Sequence, residues 1–257
     1  MSLFKPDWAL PDNVKAFCTE RKGGVSQPPF DGFNLATHVG DDICKVQANR
    51  LRLQELAQLP NNPVWLNQQH TDIAIQLTAE SNIDTNTNTR IHNQQTPIAD
   101  ASWTQDKKQV CIVMTADCLP ILVAAKDGSC VAAIHAGWKG LADGIITKTL
   151  NDMPVEPGAV TAWIGPAISQ AEFEVGQDVY DAFCQNNAKN NAFFIKKPHE
   201  NTKYLADIAA IAQHEMQGLG VSNICLSGLC SFSEKKRFYS YRRDHETGRM
   251  ASLIWLE

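Results

Sequence analysis

The chain has 257 residues, 44% hydrophobic and 20% charged, with a formal net charge of −5. That is the composition of a globular protein long enough to bury its own core, as one large domain or two small ones. The acidic balance argues against nucleic acid or an anionic membrane surface as the main partner.

The opening MSLFKPDWALPDN lacks a basic stretch followed by an apolar one, so no secretion signal is expected. A first strand is predicted over Val14–Thr19, followed by a turn at Gly23-Gly24. A helix is predicted from Ile43 to Leu59. At about 3.6 residues per turn it places Arg50 between Ile43 and Ala57, with Val46 and Leu53 close by. An arginine on an apolar face must find an anion, either a structural carboxylate or a bound phosphate or carboxylate. Strands over Val64–Asn67 and Ile73–Leu77 come next, then a polar surface loop from Ser81 to Thr96 whose only apolar residues are Ile83 and Ile91.

Val110–Met114 reads as a strand. Pro120–Ala125 and Cys130–His135 read as a hairpin joined by Lys126-Asp127-Gly128-Ser129. After Gly140 a helix turns Leu141, Ile145, Ile146 and Leu150 inward, and Val160–Ile164 is the next strand. A third helix starts near Gly176 with Val179, Tyr180 and Phe183 on one face. A polar stretch, Gln185 to Thr202, surrounds the AFFI of residues 192–195 as an excursion. The last helix carries Leu205, Ile208, Ala209, Ala212, Met216 and Leu219. Strands and helices interleave without strict alternation. The expectation is one layered α/β (α+β-like) domain over residues 1–257, with a mixed sheet and flanking helices. Eight cysteines without a CxxC pair, and no apolar run approaching the ~20 residues that span a bilayer, predict a cytoplasmic protein with reduced thiols and no membrane role.

The dinucleotide, P-loop, zincin and hydrolase-elbow motifs are absent. Three other segments carry chemistry: NQQHTD at 67–72, TADCLP at 115–120 and IHAGWKG at 134–140. Each places a metal-capable side chain at the end of an apolar strand, where loops are free to vary. Singly, Cys118, His135 and His70 have ordinary structural readings. Together, one thiolate and two imidazoles can hold zinc with the fourth position open, as catalytic zinc requires, and copper accepts the same ligands. The same residues also allow a metal-free site in which Cys118 is the nucleophile and His135 or His70 its base. Trp138 can stack on a planar ring or pack against the helix start. Arg242 and Arg243 are further anion-binding candidates, with Asp244 as a local neutraliser.

These segments resemble the YfiH-like laccase-domain family, known both as multicopper polyphenol oxidases and as purine nucleoside phosphorylases. The resemblance covers nearly the whole chain. It runs through TERKGGVSQPPFDGFNLATHVGDD at 19–42, NRLRL at 49–53, NQQHTD, ADASWT at 99–104 and TADCLPILVAA. It continues through HAGWKGLADGII at 135–146, IGPAISQAEFEVGQDV at 164–179 and FYSYRRDHETGRMASLIWL at 238–256. Trp103 stands where the family pattern leads one to expect a smaller aliphatic residue.

The resemblance implies an α/β fold, a His-Cys-His metal site at His70, Cys118 and His135 holding zinc or copper, and a monomer or weak homodimer. It also implies phosphorolysis of adenosine, inosine, guanosine and methylthioadenosine, and deamination of adenosine. Copper-dependent phenol oxidation, editing of a peptidoglycan precursor and a toxin-like cysteine hydrolase relationship are further attributions. Phosphorolysis calls for a phosphate clamp, for which Arg50, Lys139 and Arg242 are candidates, and deamination for an acid, for which Asp117 and Asp100 are candidates. A true multicopper cluster needs many histidines, and His38, His92, His199, His214 and His245 form no H-x-H pair. A purely structural metal site usually has four protein ligands, and the local sequence offers no fourth. The expected order is a metal-dependent purine nucleoside phosphorylase/deaminase acting on nucleoside and phosphate, then precursor editing, then a single-copper oxidase, then a structural metal protein.

Overall fold

A computed structural model describes residues 3–79, 96–185, 187–200 and 202–257. Its core is two stacked β-sheets covered on both outer faces, and the sequence of the central strands dictates that arrangement. β5 (Val110–Thr115), β6 (Leu119–Ala125), β7 (Val131–Ala136) and β13 (Met250–Leu256) are buried at every residue. Such strands show continuous apolar runs because both faces are covered. Alternate residues divide between the layers. Ile121, Val123, Ala132 and Ile134 face one core, while Leu122, Ala124, Val131 and Ala133 face the next. Cys111, Val113, Ile254 and Leu256 meet that second core from the other sheet, whose far side presents Ile112, Leu253 and Trp255 to a third.

One sheet is antiparallel throughout. β13 lies between β5 and β2 (Val14–Thr19), with β1 (Leu3–Phe4) at the edge. The other has six strands and is mixed. The β6–β7 hairpin sits centrally, flanked by β8 (Val160–Ile164) on one side and β4 (Ala101–Thr104) on the other. The parallel edge strands are β12 (Asn223–Leu226) and β3 (Ala74–Gln76). A small antiparallel sheet joins β10 (Phe194–Lys196), β11 (Lys203–Ala206) and β9 (Glu174–Gly176). The mixed α/β architecture expected from the sequence is the one found.

Helix α1 (Ile43–Ala57) covers the four-stranded sheet with Leu53 and Ala57, and Val46 is buried beside them on the helix. Ile43 is exposed, contrary to expectation, and Asn49 is buried in its place. The Asn49 amide donates to Ser26 Oγ and to the Gly32 and Asn34 carbonyls, and its Oδ1 accepts from Val25 N–H, so it satisfies the loop beneath the helix. On the far side of the six-stranded sheet, the helix predicted after Gly140 is split into α2 (Trp138–Ala142) and α3 (Ile145–Asp152) by Gly144, at φ +91°.

Helix α4 (Gln177–Cys184) lies as expected, with Val179 and Phe183 buried. α5 (Ile208–Gly218) begins after Leu205, which belongs to β11; Asp207 caps the helix by accepting from Ala210 N–H. The predicted strand at 64–67 is reduced to an isolated bridge between Asn67 and Ile98. The AFFI stretch forms the end of a 3-10 turn and the start of β10, with Phe194 against Tyr180 and Tyr204. The polar segment at 81–96 lies outside the described residues but for exposed Thr96. Trp103 packs into the β-sheet core between the six strands and the helices.

Candidate metal centre and its cavity

The functional segments converge at one end of the six-stranded sheet, where β7 ends and β6, β4 and β3 begin. His135 is the penultimate residue of β7 and pairs with Pro120 across the hairpin. Cys118 immediately precedes β6, and His70 lies in the turn before β3. One donor atom from each of His70, Cys118 and His135 lies within 4.8 Å of the others. Cys118 Sγ is 3.6 Å from His70 Nε2, and the two imidazole rings meet edge to face at 4.9 Å. The cluster grades from buried His135 through partly buried Cys118 to exposed His70, so it opens toward solvent on the His70 side.

Strained backbone sets up two of these positions. His70 has φ +60° and Asp117, just before Cys118, has φ +93°. Left-handed conformations at such residues cost about 1–3 kcal/mol and persist only where the surroundings enforce them. At His70 the enforcement comes from Asp100, buried at the start of β4. Its carboxylate accepts from the N–H groups of Gln69, His70 and Thr71, from the Thr71 hydroxyl and from His135 Nδ1 at 2.7 Å. Gln68 anchors the same turn by exchanging two hydrogen bonds with the Met114 backbone. At Asp117 the carboxylate accepts from the Ser231 and Ser240 hydroxyls and from Arg242 N–H. Gly137 closes the centre: a Cβ there would overlap the His70 ring and come within 3.2 Å of Cys118 Sγ.

The electrostatics follow from this packing. Burial alone would push the Cys118 thiol up, but the charge and hydrogen bond of His135, aided by His70, bring it down to about 6. Burial alone would lower His135, but the Cys118 thiolate and the Asp100 carboxylate raise it to about 9. Asp100 is held down to about 2, its burial outweighed by His135 and Thr71. A thiolate is therefore available at neutral pH, as a metal ligand or as a nucleophile. Asp100 fixes His135 with Nδ1 as donor, leaving Nε2 for a ligand role, the usual carboxylate support behind a metal-binding histidine. One thiolate, two imidazoles and an open side fit a catalytic zinc or a copper ion. Among the described residues this is the one such cluster.

The cluster lies on a cavity of about 600 Å³ whose wall also includes His38, Gln68, Asp117, Trp138, Phe173, Tyr241, Arg242 and Arg249. Of the residues singled out in the sequence, Asp117, Trp138 and Arg242 are on this wall. Trp138 both lines the cavity and packs against the core, so its two expected roles coexist. Arg50 is outside the lining; it donates to the Leu35 carbonyl and its guanidinium sits 3.7 Å from the centre of the Trp65 ring, with neither the carboxylate nor the cavity place expected. Lys139 is exposed and also outside the lining. Asp100 and Asp117 have their oxygens taken up by donors, so neither is a free acid for a leaving group. Asp244 pairs with Arg243, as anticipated.

Sequence reasoning missed His38, Phe173, Tyr241 and Arg249 on this wall. His38 and Arg249 lie inside HVGDD and ETGRM, but neither stands out by spacing. A larger groove, about 960 Å³, lies elsewhere between residues 21–32 and 233–237. Its arginines are internally neutralised, Arg21 by Asp31 and Arg237 by Glu20 and Glu234, and no cluster of metal-binding side chains lies in it among the described residues.

Residues 15–257 match the family model described as multi-copper polyphenol oxidoreductase laccase. A Haemophilus influenzae protein named purine nucleoside phosphorylase is 42% identical over 257 residues, covering 100% of both chains. An Escherichia coli K12 protein named purine nucleoside phosphorylase YfiH is 42% identical over 254 residues, covering 99% of this chain and 98% of its own. Among solved structures, a Neisseria meningitidis protein superimposes with a TM-score of 0.90 at 42% identity over 100% of both chains. YlmD from Geobacillus stearothermophilus superimposes with a TM-score of 0.82 at 27% identity, covering 96% of this chain and 93% of its own.

Proposed function

The chain belongs to the multi-copper polyphenol oxidoreductase laccase family, and on that premise we propose that it is a metal-dependent purine nucleoside phosphorylase whose whole length forms one catalytic domain. The observation that carries this is the placement of a three-donor metal centre on a cavity that also offers aromatic faces and unpaired guanidinium groups. Trp138, Phe173 and Tyr241 supply surface for a planar base. Arg242 and Arg249 supply positive charge for a phosphate, and among the described residues neither forms an ion pair.

His70, Cys118 and His135 would hold the ion, with zinc preferred and copper the alternative. When bound it supplies a Lewis acid beside the substrate. The chain's own residues orient and shield. The aromatic wall holds the purine beside the guanidinium groups that take the phosphate. A phosphate oxygen then forms a bond to the sugar C1′ while the bond from C1′ to the purine nitrogen breaks. The electron pair leaves with the base, which takes up a proton. Adenosine and methylthioadenosine present the same bond, so phosphorolysis of both is proposed.

Deamination of adenosine ranks below it, because the acids expected for the departing ammonia, Asp100 and Asp117, are fully engaged. The thiolate character of Cys118 beside His135 favours one second reading, a hydrolase acting on a peptidoglycan precursor. The experiment that separates them is product analysis with metal-loaded protein. Adenine and ribose 1-phosphate formed only with phosphate support the phosphorylase, and cleavage of a precursor without nucleoside turnover supports the hydrolase.

A further inference from the structure

We infer that Arg249, with His38 beside it, forms the subsite for the attacking phosphate, at a place in the cavity that the motifs around the metal centre do not mark. The assignment rests on the phosphorolytic reading and deepens it by naming the residues that take the second substrate. Both side chains line the cavity that holds the metal-binding cluster. Arg249 precedes β13, where its own backbone N–H is anchored on Asn34 Oδ1 and its Nη1 on the Thr247 and Gly248 carbonyls, at 2.9 and 3.1 Å. Those bonds fix the root and one arm of the guanidinium. Among the described residues Nε and Nη2 have no acceptor, and no carboxylate lies within ion-pair distance.

A mostly buried guanidinium without a counter-ion is costly, and a bound anion removes that cost. Two negative groups in the cavity act on Arg249 without pairing with it: the Cys118 thiolate, which a bound metal ion would take up, and Asp117, whose oxygens are already taken by Ser231, Ser240 and Arg242 N–H. His38, on the exposed rim of the cavity, has no hydrogen-bond partner among the described residues, and partial burial with the charges of Arg249 and Arg50 pushes its imidazole below the ordinary range, toward the neutral form. A neutral imidazole donates one N–H without adding a repelling charge. The fork of Arg249 with that N–H matches a tetrahedral oxyanion. Arg242 fits less well, since it is exposed and water already serves its charge, whereas Arg249 is largely covered.

The test is calorimetric titration of metal-loaded protein with inorganic phosphate alone, for the wild type, Arg249→Gln, Arg249→Lys and His38→Gln. The expected result is phosphate binding weakened about tenfold or more by Arg249→Gln and less by Arg249→Lys, which keeps the charge but loses the fork. His38→Gln is expected to lose severalfold, and nucleoside binding to stay within about twofold of wild type throughout. Phosphate affinity within twofold of wild type in a folded Arg249→Gln overturns the subsite. If that variant does not fold, unchanged affinity in both Arg249→Lys and His38→Gln overturns it equally. Product analysis separates the two proposals. Wild type that binds phosphate through Arg249 yet forms no ribose 1-phosphate upholds the subsite and overturns the phosphorylase. Ribose 1-phosphate formed with an unchanged phosphate KM in Arg249→Gln does the reverse.

Discussion

Asp100 accepts from the His135 ring and from three consecutive backbone N–H groups of the His70 turn, so one carboxylate orients two of the three side chains of the candidate metal centre. Replacing it by asparagine keeps the volume but puts a donor among those donors. Asp100→Asn is expected to weaken zinc binding by about 10–100-fold, measured by competition with a chromogenic chelator, whereas an unchanged affinity would show that the turn holds itself. Gly137 is the steric counterpart. Gly137→Ala forces the His70 ring aside, and the expected loss is roughly a hundredfold in kcat with the protein still folded. Cys118→Ala removes the thiolate and is expected to end both metal binding and turnover; full activity in that variant contradicts the site. At this scale the sequence was legible where chemistry is concentrated. A cysteine and two histidines at strand ends announce themselves. Asp100 was noticed, but as an acid, because its burial under five donors depends on a turn 30 residues away in the chain folding onto β4. Arg249 and His38 were not legible at all, since an arginine or histidine in a loop carries no periodicity, and only the fold brings these two to one cavity.

Elements reproduced the sequence expectations where local pattern decides them. The β6–β7 hairpin, β2, β8 and α4 have the expected identities because turn chemistry or periodicity is contained within each segment. β13 lies in a segment that carries the family resemblance but no local strand signal. Buried on both faces, MASLIWL shows no alternation, and its pairing with β2 and β5 is set by residues more than a hundred positions away. The three- and four-residue strands β9, β10 and β11 are too short to show a period. Capping decides where α5 starts: Asp207 accepts from Ala210 N–H, so Asp207→Ala is expected to lower stability by about 1 kcal/mol in denaturant unfolding, and no loss would mean the cap is dispensable.

The same helix carries Glu215, whose Oε1 accepts from the Thr147 hydroxyl and N–H and ties α5 to α3. Burial pushes its carboxyl above the ordinary range, against the pull of Thr147. With the folded value above the unfolded one, its contribution to stability is complete below the unfolded pKa and is lost as pH rises through the folded pKa. Glu215→Gln keeps the acceptor without the charge. The variant's Tm, relative to wild type, is expected to rise as pH is raised from the acidic side through neutrality, and a flat difference would contradict the burial argument.

For the whole molecule, the layers explain why the His-Cys-His cluster is where it is. Two sheets stacked between α1 and the other long helices leave few places for polar side chains. The ends of β6 and β7 are one, since there the strands run out of the core beside the openings of β3 and β4. None of the eight cysteines is in a disulfide, and no helix among the described residues is long and apolar enough to cross a membrane. The layered α/β class was readable from interleaved apolar runs. The division into three sheets was not, because sheet order is a property of long-range pairing. The proposed reaction of this centre is cleavage of purine nucleosides by phosphate. The most direct measurement is chromatography of the products formed from adenosine, with and without phosphate, by protein whose metal content has been assayed. About one metal ion per chain is expected, with adenine and ribose 1-phosphate appearing only when phosphate is present. Metal-loaded protein that leaves adenosine intact, or converts it to inosine at a rate indifferent to phosphate, would contradict it.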